Sequence, residues 1–266
     1  MKKTMYCLAL IVTVASLFFV NGRLFASETD DRIESSAKQS YVFKTYLKGD
    51  DIKIQSTDGV VALTGTVSEE SHKSLARETV ASLPGVKSVD NKLEVKGEVP
   101  AVHSDEWLIS KVKGALLYHR NVSATETEVL AKDGTVTLRG KATSAAQKKL
   151  ATEYAKDVEG VKNVKNEMTV STAAMKPGKK TMDEKTVGKK VDAVTESVDD
   201  ASITALVKTT LLFHRSTSAL NTTVETKKGV VELGGKARNA AERNLATKLV
   251  SDVYGVKRVV NTMIVQ

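Results

Sequence analysis

Asp133-Gly134-Thr135-Val136-Thr137-Leu138-Arg139-Gly140-Lys141-Ala142 reads as a tight turn running into a strand. Glycine supplies the positive φ that a two-residue hairpin turn requires, and aspartate tolerates it. The apolar residues that follow alternate with variable ones, as on a half-buried strand. The same pattern stands at 58–67 and at 228–237. Its leading glycine is Gly59, Gly134 or Gly229, and a second glycine, Gly65, Gly140 or Gly235, follows six positions on. Working outward, the likeness continues without a gap, because residues 30–95, 105–170 and 200–265 align at constant offsets of 75 and 95. The chain is therefore read as three copies of one unit. The second and third copies share Leu-Leu-aromatic-His-Arg (116–120 and 211–215), and the first diverges.

Each copy opens with an apolar stripe of helical spacing: Leu108, Val112, Ala115 and Leu116 in the second, Ile203, Val207 and Leu211 in the third, and Ile33, Ala37 and Tyr41 in the first. A first strand follows near Ile52 and Ile54, Val129, or Val224, antiparallel to the second strand across the turn. In that second strand Val61 and Leu63, Val136 and Leu138, and Val231 and Leu233 have inward parity. The next helix starts with Ser144-x-x-Gln147 or Asn239-x-x-Glu242, a capping box, whereas the first copy offers only Ser68. Gly85, Gly160 or Gly255 closes it as a left-handed C-cap. A last strand then ends every copy as Val-Lys-x-Val-x-Asn-x-(Leu/Met)-x-Val. The predicted fold class is α+β: three tandem α-β-β-α-β units, each a small mixed three-stranded sheet covered on one face by two helices.

That ending, preceded by (Asp/Lys)-Gly-x-Val-x-Leu-x-Gly and an amphipathic helix, resembles the BON domain of OsmY-like bacterial envelope proteins. The resemblance spans all three copies, where two are common in the family. It implies a periplasmic protein of envelope integrity or osmotic stress, with binding of phospholipid surfaces as the activity and no enzymatic one. It also implies an alternative, chaperone-like holding of other envelope proteins.

Ahead of the first copy, Lys2 and Lys3, an apolar run from Cys7 to Val20 and a small-residue site near Ala26 have the form of a signal peptide over 1–26. A membrane anchor is the other reading, but the run is short for a span of about 20 residues. Cys7, the single cysteine, falls inside this segment, so export would leave no disulfide or thiol. The whole chain carries 40 basic and 32 acidic side chains, unevenly placed. The copies hold 9 against 11, 11 against 9 and 10 against 5, so the later ones suit an anionic surface, a phospholipid membrane first of all. Residues 171–199 form a Lys-rich linker whose second half, with Val187, Val191, Val194 and Val198, would extend the third copy's first helix backward. The short join holding Pro100 places the first two copies close together, with the third on a longer tether.

No catalytic signature appears, and no cofactor or metal is expected. His72, His103, His119 and His214 show no metal-ligand spacing. The repeat-equivalent His119 and His214 read as cations completing a helix end beside Arg120 and Arg215. Lys87, Lys162 and Lys257 could form an anion-binding ring or stand as solvated turn lysines. Asn91, Asn166 and Asn261 have inward parity and call for a bulge or a side-chain bond to the neighbouring turn. Nucleic acid is not expected as a partner, since aromatic residues make up 5% of the chain and offer no stacking platform. The candidate lipid contacts are Trp107, the one tryptophan, with Lys111, Lys113 and Tyr118, where amphipathic rings beside lysines suit the headgroup level. The competing reading has Trp107 packing against the first copy or covering its own helix end.

Overall fold

The structure, a computed structural model, describes residues 28–97, 100–122, 127–170, 198–217 and 221–266. The signal peptide expected at 1–26 and most of the expected linker, 171–197, lie outside the described residues. Unit 1 comprises α1 (Glu28–Gln39), α2 (Tyr41–Thr45), β1 (Asp51–Thr57), β2 (Val60–Val67), α3 (Glu70–Ala81) and β3 (Ser88–Val95). Unit 2 comprises α4 (Asp105–Leu117), β4 (Thr127–Lys132), β5 (Thr135–Ala142), α5 (Ala145–Lys156), β6 (Asn163–Asn166) and β7 (Thr169–Val170). Unit 3 repeats it with α6 (Asp200–Phe213), β8 (Thr222–Lys227), β9 (Val230–Ala237), α7 (Ala240–Ser251), β10 (Arg258–Asn261) and β11 (Ile264–Val265). These are the three α-β-β-α-β units, each with a mixed sheet.

In every sheet the strand after the hairpin turn is central. It pairs antiparallel with the strand before it (Ile54 opposite Leu63, Val129 opposite Leu138, Val224 opposite Leu233) and parallel with the last strand. The inward pairs Val61 and Leu63, Val136 and Leu138, and Val231 and Leu233 are fully buried under the helices. All nine repeat glycines, Gly59, Gly65, Gly85, Gly134, Gly140, Gly160, Gly229, Gly235 and Gly255, have positive φ. The need is sharpest at Gly65 and Gly235, where a Cβ would lie 2.0 Å from the carbonyl oxygen of the neighbouring strand. The two capping boxes form, with Ser144 accepting from the Gln147 amide at 3.1 Å and Asn239 from the Glu242 amide at 2.8 Å. In unit 1 the cap is Glu69, whose side chain makes no capping bond to the helix amides.

The last strand is interrupted in units 2 and 3 after the repeat asparagine. Asn166 donates to the Lys148 carbonyl of α5 at 2.7 Å and accepts from the Met168 amide at 3.0 Å. Asn91 and Asn261 do the same with Lys73 and Leu93, and with Arg243 and Met263. The asparagine side chain thus replaces a ladder bond and ties the strand to the second helix, where a bond to the neighbouring turn was expected.

Units 1 and 2 touch, Tyr46 lying against Tyr118, but the third unit, expected to stand apart on its longer tether, packs against both. Unit 3 is the centre. Its α6 packs against α3 of unit 1 and α4 of unit 2, which explains why ten of its residues are buried, Ser202, Thr204, Thr209 and Thr210 among them. Helix α6 also begins later than expected: Asp199 is extended (φ −69°, ψ 152°) and caps the Ser202 amide, so the helix does not run back through Val198. Asp199 reaches unit 1 as well, accepting from the Tyr41 amide at 2.8 Å, while Ser202 Oγ accepts from the Val42 amide at 3.2 Å. Glu78 of unit 1 and Lys208 of unit 3 pair at 3.5 Å.

Candidate functional site

Units 2 and 3 meet reciprocally. His119 bridges to Val253, and its repeat equivalent His214 bridges to Val158, the equivalent of Val253. The Arg120 amide donates to the Asp252 carbonyl at 2.8 Å, and the Arg215 amide to the Asp157 carbonyl at 2.9 Å. Each unit offers the same patch to the other, the signature of a two-fold junction. The expectation that His119 and His214 are exposed end-of-helix cations is therefore corrected: both are almost wholly buried between units. His214 Nδ1 bonds Asp157 at 3.2 Å, and His119 Nδ1 lies 3.5 Å from Asp252. Tyr154 stacks on His119 with ring centroids 4.1 Å apart and donates to Asp252 at 2.9 Å. Burial pushes the His119 imidazole below its ordinary value of 6.5; Asp252 opposes the shift and His214 adds to it.

The four lipid-contact candidates separate. Tyr118 is fully buried where the three units meet, edge-on to Tyr46 of unit 1 at 5.4 Å and beside Phe213 of unit 3, so it does not belong to a free surface. Its apolar neighbours come from other units, which no spacing within one helix reveals. Burial raises its phenol above the usual range. Trp107 is half-buried on its own unit: its indole lies against Gly160 and meets the His103 ring edge-on at 5.1 Å. Lys111 is also half-buried, with its ammonium 5.4 Å from the Trp107 ring and 5.3 Å from that of Phe213, positions suited to cation–π attraction. Lys113 is exposed, about 120° around α4 from Trp107.

Beside Trp107 the three units differ in a way the sequence hides. In unit 1, Asp30 at the start of α1 accepts from the turn amides of Asp58 and Gly59 at 2.9 and 3.0 Å. In unit 3, Asp200 holds Lys228 and Gly229 at 2.7 and 2.8 Å. The equivalent Asp105 makes no such bond to Asp133 and Gly134. A cleft of about 390 Å³ opens between them, lined by His103, Ser104, Asp105, Gly134, Gly160 and Lys162 among others. The surroundings of the closing glycine differ too, although Leu108 packs on Gly160 as its equivalents Ile33 and Ile203 pack on Gly85 and Gly255. Thr29 and Ile33 lie there in unit 1, and Val198 and Ile203 in unit 3. In unit 2 His103, at φ 68°, and Trp107 bring two rings to that place.

Lys87, Lys162 and Lys257 do not form a ring. Each donates its amide to the carbonyl of its own turn glycine at 2.8–2.9 Å and lays its aliphatic stem over that glycine. Lys162 differs only in that its stem borders the cleft. His72 pairs with Asp50 at 2.6 Å inside unit 1. Among the described residues no group of three or more His, Cys, Asp or Glu side chains is placed to hold a metal ion. No helix among them is long and apolar enough to cross a membrane.

Comparison with known proteins gives the same units. The family model described as the BON domain matches residues 29–97, 104–172 and 199–266. Osmotically-inducible protein Y of Escherichia coli is 33% identical over 143 residues, covering 52% of this chain and 71% of that protein. The 21 kDa hemolysin of Actinobacillus pleuropneumoniae is 33% identical over 115 residues, 42% of this chain and 59% of its own. Outer membrane lipoprotein DolP of Haemophilus influenzae is 27% identical over 168 residues, 59% of this chain and 85% of its own.

Proposed function

Because this chain belongs to the BON-domain family, we propose that it serves the bacterial envelope without enzymatic chemistry, by peripheral binding of anionic phospholipid. Its relatives include a protein named as osmotically inducible and one named as an outer membrane lipoprotein. The sequence at 1–26, read as a signal peptide, supports an exported, periplasmic location.

The observation that carries the reading is the cleft at the head of α4. In two sister units the turn amides there grip a carboxylate, and in unit 2 the corresponding pair, Asp133 and Gly134, has lost it to an open cleft beside Lys162. Backbone amides and a lysine converging on one opening suit the phosphate oxygens of a headgroup. Trp107 and Lys111 sit alongside at the depth where an amphipathic ring and a lysine stem meet the interface. Asp105 also lines the cleft and must turn away from an anion that enters.

The test uses the single tryptophan. Flotation with phosphatidylcholine vesicles, with and without phosphatidylglycerol, should show binding that needs the anionic lipid and weakens in high salt, as exposed charges are screened. Trp107 fluorescence should shift to the blue on binding. Trp107→Ala and Lys162→Ala should each weaken binding several-fold without lowering the melting temperature. Tyr118→Phe, at a buried site, should leave binding unchanged. Fluorescence indifferent to anionic vesicles would sink the proposal and favour holding of envelope proteins.

A further inference from the structure

The junction of units 2 and 3 contains two buried imidazoles that lipid binding does not use. His119 and His214 lie with ring centroids 5.7 Å apart, edge to face, with less than a fiftieth and about a fiftieth of their surface exposed. Neither nitrogen of His119 has a hydrogen-bond partner, and neither does Nε2 of His214. The groups facing them are few. From the ends of α7 and α5 come Asp252 and Asp157; from α5 comes Tyr154, stacked on His119 and edge-on to His214 at 5.8 Å; Arg120 and Arg215 adjoin in sequence.

The carboxylates are already engaged. Asp252 accepts from the Tyr154 hydroxyl and the Asn121 side-chain amide, and its main-chain carbonyl accepts from Arg120. Asp157 accepts from Ser216 and from His214 Nδ1, with Arg215 Nε 3.9 Å away. A neutral His214 satisfies Asp157 through one N–H. A second proton, on Nε2, would be a buried donor facing no acceptor. On His119 an added proton brings a full charge into a buried site shared with the other ring, where Asp252, 3.5 Å from Nδ1, already accepts from the Tyr154 hydroxyl and the Asn121 side-chain amide.

We propose that this junction is an acid-released latch: proton uptake by His119 loosens unit 3 from unit 2 while each unit stays folded. The sign follows from linkage. His119 is held below 6.5 when docked and returns to about 6.5 when solvated, so the undocked form binds more protons, and docking is strongest above about pH 6.5 and weakens as pH falls below it. For one such group docking should weaken by at most about tenfold between about pH 7.5 and about pH 5.5. Release would bare Tyr118 and Phe213, now buried against each other.

Hydrogen exchange on the full chain reads this directly. The amides of Arg120, Arg215 and Tyr254 donate across the junction, whereas those of Lys162 and Lys257 donate within their own units. Corrected for the intrinsic pH dependence of exchange, protection at Arg120, Arg215 and Tyr254 should fall, by up to about tenfold, from about pH 7.5 to about pH 5.5 and stay constant at Lys162 and Lys257. His119→Leu should abolish the selective fall. Should that variant not fold, titration of the His119 ring by NMR in the unaltered protein decides, with a midpoint below that of a free histidine expected. An equal change at all five amides, no change at any, an undiminished fall in His119→Leu, or a His119 midpoint at or above 6.5 would each overturn the latch.

Discussion

Gly114 shows how much one missing side chain can decide. It lies in the middle of α4, where glycine is disfavoured by about 1 kcal/mol relative to alanine, and its φ is ordinary. Its role is contact: a Cβ there would sit 2.9 Å from Cζ of Phe213 and 3.2 Å from two further ring carbons, so the face of α4 is flattened to admit the ring of unit 3. Helix propensity and packing therefore oppose each other. Gly114→Ala should destabilise the chain by about 1–3 kcal/mol despite the better helix former, because overpacking moves a buried aromatic ring. A raised denaturation midpoint would show that the Phe213 contact is dispensable. The histidines teach the same lesson: their position after a helix suits a dipole cation, yet the neighbouring unit buries both, and burial disfavours the charge on His119.

At the level of elements, each unit is held by side chains that finish what its backbone leaves undone. The capping boxes start the second helices and the repeat asparagines join strand to helix, while the main-chain amides of Lys87, Lys162 and Lys257 tie the turns to the last strands. Asn166 makes three bonds, to the Lys148 carbonyl, the Thr152 hydroxyl and the Met168 amide. Asn166→Leu keeps the size but leaves the Met168 amide without its partner and takes one of two side-chain donors from the Lys148 carbonyl, which Thr152 still serves, at a cost of about 1–3 kcal/mol. Chemical denaturation should show that loss, and Asn166→Asp should not restore it, since a carboxylate cannot donate to the carbonyl. Full stability in Asn166→Leu would mean that water replaces the side chain. The sequence places these asparagines correctly as structural; their partner was misjudged because residues 148 and 166 are joined only when α5 crosses the sheet.

For the whole molecule, α6 is the common wall. Its N-cap Asp199 serves two units at once, capping α6 and holding the Tyr41 amide of unit 1. Asp199→Ala removes both functions and should cost about 2 kcal/mol. Exchange protection at Tyr41 and Val42 should drop while that of β5 is kept, and equal protection in variant and parent would show that unit 1 is held by α3 alone. Unit 1 docks differently from its sisters for a visible reason. At the positions of the junction histidine, aspartate and Tyr254 it carries Lys44, Ser82 and Pro84, and proline has no amide to match the one Tyr254 donates to the Tyr118 carbonyl.

The sequence by itself determined the unit: its element order, the inward face of each strand, the glycines at its turns and its kinship to one family. Those features rest on short-range periodicity and local backbone rules, which act over a few residues and repeat three times. Tertiary structure alone decided how the units meet, which aspartate leaves its turn to open a cleft, and that Tyr118, His119 and His214 are interior. Each of those outcomes depends on contacts that no local pattern encodes, such as that of His119 with Asp252, more than a hundred residues away. The shared Leu-Leu-aromatic-His-Arg of the second and third copies was visible from the start, but its meaning is a reciprocal junction, and reciprocity is a property of two surfaces in contact.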